Sequence, residues 1–253
     1  APNYMNFRAQ QSVQLLLEQD KIDFDTFTRL QRSSRVLMAD RLLDDFLGMR
    51  ALTSDSLTLA AFDVLESWNR TMEADAQGAI LFILWLQRLA GHNMLTIFEH
   101  PWDFDSPHTT PYGIADPGKA VLSLTEVAKN MVNTHGKLNP EYGSVYRMRM
   151  GDYDVPASGG SGNMGNFRVV GFRPVSGGTF QAVSGESFTA MIEFSDPPRA
   201  RVLLTYGNAS QPGSPHVGDQ LPLFSRQELR EAWLTREAVE RNLFRRETIR
   251  VRE

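Results

Sequence analysis

Three side chains that serve together in many hydrolases stand close to one another near the end of the chain. Ser214, His216 and Asp219 fall within the stretch YGNASQPGSPHVGDQLPLFS, residues 206–225. In a serine hydrolase the histidine takes the serine proton and the carboxylate orients the imidazole. Residues two apart on an extended chain are about 6.5 Å apart, and Pro215 fixes the backbone between Ser214 and His216. The stretch is therefore interpreted as a polar turn, in which His216 is a buried residue bonded to a neighbouring carbonyl or carboxylate.

A second motif has the spelling of a nucleotide-binding site. GSGNMG, residues 160–165, matches the G-x-G-x-x-G fingerprint of dinucleotide-binding folds. That fingerprint opens a helix, because the helix N-terminus holds the pyrophosphate. Here the strand-like NFRVVGF, residues 166–172, follows instead. We interpret the motif as a flexible loop that lets the backbone approach something closely, and no nucleotide cofactor is predicted.

The sequence gives no support for metal or thiol chemistry. The chain has no cysteine, which excludes disulfides, thiolate ligands and a cysteine nucleophile. No two histidines have the spacing of metal ligands, so no metal is predicted. Asp44 and Asp45 would diverge by about 100° on a helix, which makes them surface charges rather than a paired acid and base. The histidines are His92, His100, His108, His135 and His216.

The charge and the apolar runs argue against two classes of partner. With a net charge of −4, nothing in the composition points to nucleic acid or an anionic membrane surface, so neither is predicted as a partner. The run AILFILWL, residues 79–86, is far shorter than the ~20 residues that cross a bilayer, and it predicts a buried helix. The tail from Arg226 to Glu253 mixes eight arginines with six glutamates, a pattern typical of a solvated helix face.

Apolar residues recur at three- and four-residue steps through the first half of the chain and predict helices. The first is capped by Asn3, and a long repeat over residues 23–48 stops at Gly48. Trp68, Phe82 and Trp85 have helical spacing and are assigned to the core rather than to a ligand site. The face predicted to be buried in the first helix comprises Tyr4, Phe7, Val13, Leu16 and Leu17. Later helices are predicted from Asp55 or Ser56, from Ala79 to about Ala90, and from Leu122 to about Thr134.

The helical spacing of the apolar residues ends in the second half of the chain. GSVYRMRM, NFRVVGF, SFTAMIEF and RARVLLTY are short and rich in β-branched or aromatic residues, and Gly, Pro and Ser clusters separate them. They predict antiparallel strands, and TREAVERNLF predicts a return to helix. Helices followed by strands in blocks favour an α+β fold. The predicted organisation is a mainly helical region over 1–140, an antiparallel β region over 141–225, and a C-terminal helix and strap over 226–253, together one structural unit.

Three stretches, in the same order, resemble the C-terminal part of the penicillin acylase family. They start at NYMNFRAQQSVQLLLEQ, at VPASGGSGNMGNFRVVGF and at YGNASQPGSPHVGDQLPLFS. The Ser-Pro-His and Asp-Gln-x-x-Leu-Phe-Ser elements of the last are the most specific. That family includes penicillin acylases, acyl-homoserine-lactone acylases and cyclic-lipopeptide acylases, which are periplasmic or secreted.

The resemblance implies amide hydrolysis by an N-terminal nucleophile. In this family a precursor cleaves itself, and the new N-terminal serine of the β chain attacks an amide with its own α-amino group as base, inside an αββα core. The nucleophile and the oxyanion-hole asparagine lie upstream of the part that matches. This chain, which starts at Ala1, is therefore expected to be a C-terminal fragment that is inactive alone. Its implied partners are the α chain and the first part of the β chain of the same acylase, and an acyl-amide substrate.

One site residue follows from the resemblance. Arg8, in MNFRAQQS, matches a family arginine that orders the oxyanion asparagine and the amine of the nucleophile. A guanidinium suits that role because it offers several donors and keeps its charge. The alternative is a solvated residue of the first helix. Two other functions also stay open: a non-catalytic module that binds a peptide or glycan through the β half, and a self-contained hydrolase that uses Ser214, His216 and Asp219.

Overall fold

The computed structural model describes residues 4–248, and helices dominate the first part of them. Five helices begin at a capping side chain that accepts a hydrogen bond from the backbone N–H three residues on, which satisfies a donor that the helix cannot pair. Those caps are Asn6, Asp23, Asp55, Asp116 and Thr235. The α-helices are α1 (Phe7–Leu17), α2 (Phe24–Gln31), α3 (Leu37–Gly48), α4 (Ser56–Ser67), α5 (Ala79–Ala90), α6 (Pro117–His135), α7 (Tyr142–Val145), α8 (Leu221–Ser225) and α9 (Arg236–Arg241).

An aromatic core holds the helices together. Phe46 of α3 stacks on Trp85 of α5 with 4.3 Å between ring centroids, and Trp68 lies 5.1 Å from Phe82. The indole N–H of Trp85 donates to the Ala120 carbonyl of α6 at 2.9 Å, so the polar atom of this buried ring is satisfied. The assignment of Trp68, Phe82 and Trp85 to the core is confirmed.

Two sheets follow the helices, which confirms the α+β class. The first has the strand order β2-β1-β4-β3, and the second has the order β5-β6-β7. All neighbours are antiparallel except β1 and β4, which run parallel, so the expectation of purely antiparallel strands is wrong at this pair. The strands are β1 (Tyr146–Met150), β2 (Tyr153–Pro156), β3 (Val170–Val175), β4 (Thr179–Gly185), β5 (Phe188–Glu193), β6 (Arg199–Leu204) and β7 (Arg230–Ala232).

The structure corrects several predicted boundaries. The repeat over residues 23–48 is two helices, because the segment between them pairs with a distant one: the Val36 N–H donates to the Arg70 carbonyl at 2.9 Å. α6 begins before Leu122 because Asp116 caps it and Pro117 occupies its first turn. The tail also contains the strand β7 in addition to α9.

The first helix buries only part of the predicted face. Phe7 is buried as predicted and Gln10 and Leu15 are buried as well, whereas Leu16 and Leu17 are exposed. The polar Gln10 side chain can be buried because its amide donates to the Met5 and Thr110 carbonyls, both at 2.9 Å. The predicted cap Asn3 lies outside the described residues.

No helix within residues 4–248 combines the length and the hydropathy needed to cross a bilayer. Over the same residues, no three His, Cys, Asp or Glu side chains are grouped as the ligands of a metal ion would be.

Candidate active-site cleft around Arg8

Arg8 lies on the first turn of α1, where the Asn6 cap starts the helix. Its side chain is held by one residue of the distant segment before β3. The Arg8 Nε and Nη2 atoms donate to the Phe167 carbonyl at 3.4 and 3.3 Å, and the guanidinium carbon lies 4.9 Å from the centre of the Phe167 ring. The carbonyl and the aromatic face of Phe167 together fix the orientation of the guanidinium.

The Arg8 guanidinium borders an open cleft of about 600 Å³. The cleft lies between the start of α1, the loop over residues 160–165 and the strands β3 and β4. Gly162 lets the loop approach Arg8, because a Cβ atom at that position would lie 3.1 Å from the Arg8 Cδ atom. Besides Arg8, the lining combines polar side chains and glycines with two valines: Asn6, Ser161, Gly162, Asn163, Val169, Val170, Gly171, Ser184, Gly185 and Glu186.

Glu186 supplies the negative charge of the cleft. It follows β4, is partly buried, and accepts a hydrogen bond from the Gln31 amide at 3.2 Å. Burial raises the pKa of the Glu186 carboxyl above its usual value, while the positive charges of Arg168 and Arg8 act in the opposite direction. The carboxylate therefore lies in the field of two arginines at once.

The GSGNMG loop closes one side of this cleft and is not a nucleotide fingerprint. A single turn of 3₁₀ helix, Gly162–Met164, is followed by the strand β3 rather than by a helix long enough to hold a pyrophosphate. The loop is packed, which corrects the expectation of a flexible one. Gly165 has φ +92°, and a Cβ atom there would lie 2.6 Å from the Leu37 Cβ atom of α3. The expectation of close backbone approach is confirmed.

Ser214, His216 and Asp219 lie in a turn rather than in an assembled triad. The His216 Nδ1 atom lies 2.9 Å from an Asp219 carboxylate oxygen, but the Ser214 hydroxyl accepts from the His216 backbone N–H at 3.3 Å instead of donating to the ring. His216 is exposed, with 62% of its side chain accessible. The expectation of a buried His216 is therefore wrong, because the Asp219 bond forms at the surface of the turn.

A buried arginine that no sequence pattern singled out lies beside Phe167. Arg168 is 1% exposed, and its guanidinium lies over the Phe224 ring of α8 at 4.1 Å and donates to the Phe224 carbonyl. Burial lowers the pKa of the Arg168 guanidinium to about 10, while the carboxylates of Glu186 and Glu73 act in the opposite direction. The group therefore stays charged at neutral pH. The alternation of NFRVV could have shown that Arg168 faces away from Phe167.

Comparison with known proteins places this fold in a family. A family model described as penicillin amidase matches residues 2–241. The chain is 24% identical over 232 residues to the acyl-homoserine lactone acylase PvdQ of Pseudomonas fluorescens, an alignment that covers 88% of this chain and 30% of that protein. It is 28% identical over 172 residues to aculeacin-A acylase of Actinoplanes utahensis, with 66% of this chain and 21% of that protein covered.

A solved structure shows the same fold. The thermostable penicillin G acylase from Alcaligenes faecalis superposes with a TM-score of 0.53 at 12% identity, over 100% of this chain and 54% of that one. The chain thus spans about a third of the length of the curated relatives that it matches. Since the family model matches nearly the whole sequence, the chain belongs to the penicillin amidase family.

Proposed function

We propose that this chain is part of an amidohydrolase that cleaves the amide bond of an N-acylated small molecule. The relatives named above are acylases of acyl-homoserine lactones and of aculeacin A, and the structural neighbour is a penicillin G acylase. The substrate class is accordingly a β-lactam, an acyl-homoserine lactone or a lipopeptide. The family resemblance also supports a periplasmic or secreted location for the complete protein.

In this proposal the chain supplies a supporting residue rather than the nucleophile. The nucleophile and the oxyanion-hole asparagine belong to a part of the acylase that this sequence does not span. The observation that carries the proposal is the setting of Arg8. One carbonyl and one ring fix the guanidinium, which has more N–H donors than the Phe167 carbonyl uses, at the edge of an open cleft.

The role of Arg8 follows from what a fixed guanidinium does for an amide reaction. It can donate to the amide oxygen of the oxyanion-hole asparagine and so turn that group's N–H towards the developing oxyanion. Donors that are already oriented need no reorganisation when charge develops, which is the source of oxyanion-hole catalysis. The positive charge also favours the neutral form of a nearby α-amino group, which is the form that acts as a base.

Replacement of Arg8 in the full-length protein tests this function. We expect Arg8→Ala to lower kcat for a chromogenic acyl-amide by ~10²-fold or more, comparable to the loss of an oxyanion-hole donor. The melting temperature should change little, because the side chain is exposed. Steady-state kinetics and thermal denaturation measure the two effects separately.

The matched control is Arg29→Ala, at an exposed arginine of α2 that does not line the cleft. This variant should keep the kcat of the wild type. If Arg8→Ala leaves kcat unchanged while the unfolding transition shifts, Arg8 is only a scaffold residue and the proposed role is wrong.

A further inference from the structure

Arg168 has a setting that stability alone does not explain. The side chain is almost fully buried, yet its Nε and Nη1 atoms have no hydrogen-bond partner among the described residues. Taking a charge out of water is costly, and apolar side chains of similar size can often replace buried charged groups without loss of stability. A fully buried, partly unpaired arginine therefore points to a task that requires this side chain.

The task is not ligand binding. The cavity that Arg168 lines has a volume of about 10 Å³, far below the ~300 Å³ of the smallest ordinary small-molecule sites. Glu186 lines this cavity and also lines the Arg8 cleft, so the carboxylate lies between the two arginines. Any effect of Arg168 on the cleft is therefore transmitted by neighbouring residues and not by a bound ligand.

The backbone next to Arg168 is fixed at several points. The Arg168 N–H donates to the Ser33 carbonyl at 3.0 Å, and the Arg168 carbonyl accepts from the Gly160 N–H at 3.2 Å. The Asn166 amide donates to the Ser34 carbonyl at 2.7 Å. Arg168 faces inward to Phe224, while the preceding residue, Phe167, faces Arg8.

We infer that Arg168 is a positioning residue for Arg8. Its guanidinium, clamped by the ring and the carbonyl of Phe224, fixes the segment whose Phe167 carbonyl and ring orient the Arg8 guanidinium. This assigns a task to the DQLPLFS motif as well, since that motif provides Phe224. The inference rests on the function proposed above for Arg8 and deepens it.

A double-mutant cycle in the full-length protein tests the inference. We expect Arg168→Met to lower kcat about 10- to 100-fold with KM nearly unchanged, because small misplacements of a supporting group have effects of this size. In an Arg8→Ala background the same substitution should have no further effect on kcat, because the group that it positions is gone. Kinetics are measured well below the melting temperature of every variant.

Two further variants keep the test decisive. Phe224→Leu removes the ring but keeps the carbonyl, and it should lower kcat in the same direction, again only when Arg8 is present. If Arg168→Met does not fold, this variant alone decides the question. Arg199→Met is the control, because Arg199 also lies over a phenylalanine ring, that of Phe24 at 4.9 Å, away from the Arg8 cleft. It should retain the kcat of the wild type.

The outcomes separate the two proposals. If Arg8→Ala itself leaves kcat unchanged, the proposed role of Arg8 is wrong. If Arg8→Ala lowers kcat but the Arg168→Met effect is equal in both backgrounds, or absent in both, the positioning role is wrong and the proposed function stands.

Discussion

His216 is compatible with two predictions, a catalytic triad and a polar turn, and the contacts of its ring decide between them. In a triad its ring would meet the Ser214 hydroxyl, but the ring contacts Asp219 and is mostly exposed. An exposed His–Asp pair contributes less than about 1 kcal/mol to stability. We therefore expect His216→Ala to change the free energy of unfolding by less than that amount and to leave the pH–rate profile of the full-length protein unaltered. Chemical denaturation and kcat across the pH range are the measurements.

A change in the pH–rate profile without a change in stability would support the catalytic triad instead. If the basic limb of the pH–rate profile disappears in His216→Ala while the unfolding transition stays in place, the ring acts in catalysis and the turn is an active site. Ser214→Ala should then reproduce the loss of activity.

Arg8 and Arg168 differ in how far the sequence could identify them. Arg8 could be identified from the family resemblance, because the residues that surround it in the sequence are sufficient for the match. The setting of Arg168 depends on Phe224, 56 residues further along the chain, and that of Glu186 depends on Gln31, 155 residues away. No local pattern contains such a pairing. A charged residue at a buried position also contradicts the signal by which buried positions are recognised.

Helices were predicted most closely where local chemistry decides them. α5 spans Ala79–Ala90 as expected, because its apolar residues and the flanking glycines act over a few residues. The break between α2 and α3 was missed because it depends on backbone bonds to Arg70 and Met72, outside any local window. Strand β3 begins later than NFRVVGF indicates, because Asn166 and Arg168 are engaged with Ser33 and Ser34 instead of a neighbouring strand.

The GSGNMG loop allows a test at this level. Gly165 has a left-handed backbone, which costs an L-residue ~1–2 kcal/mol, and its position also leaves no room for a Cβ atom beside Leu37. We expect Gly165→Ala to lower the free energy of unfolding by clearly more than that backbone cost. Urea denaturation of the variant and the wild type gives the difference.

Gly177 is the matched control because it has φ +77° but nothing within 4 Å of a Cβ atom. Gly177→Ala should therefore show the backbone cost alone. If the two alanine variants are equally destabilised, the loop has room to move away from α3 and is not a fixed wall of the Arg8 cleft.

At the scale of the whole molecule, the cleft lies where distant parts of the chain meet. The start of α1, the 160–165 loop and the strands β3 and β4 all line it, so no single segment builds the site. Composition and periodicity predicted the α+β class, since they average over many residues. They could not predict the parallel pairing of β1 and β4, because that register depends on how the two strands meet across the sheet.

The last prediction follows from the proposal that this chain supplies Arg8 and the rest of the acylase supplies the nucleophile. The relatives are about three times as long, and in the proposal the nucleophile belongs to the part that this chain does not span. We expect the 253-residue chain made alone to leave a chromogenic acyl-amide intact, while the full-length protein hydrolyses it. Far-UV circular dichroism of the isolated chain shows whether it is folded, so that inactivity is not confused with unfolding. Turnover by the isolated chain above the buffer blank would place the nucleophile within these residues; Ser214→Ala would then show whether its hydroxyl is responsible.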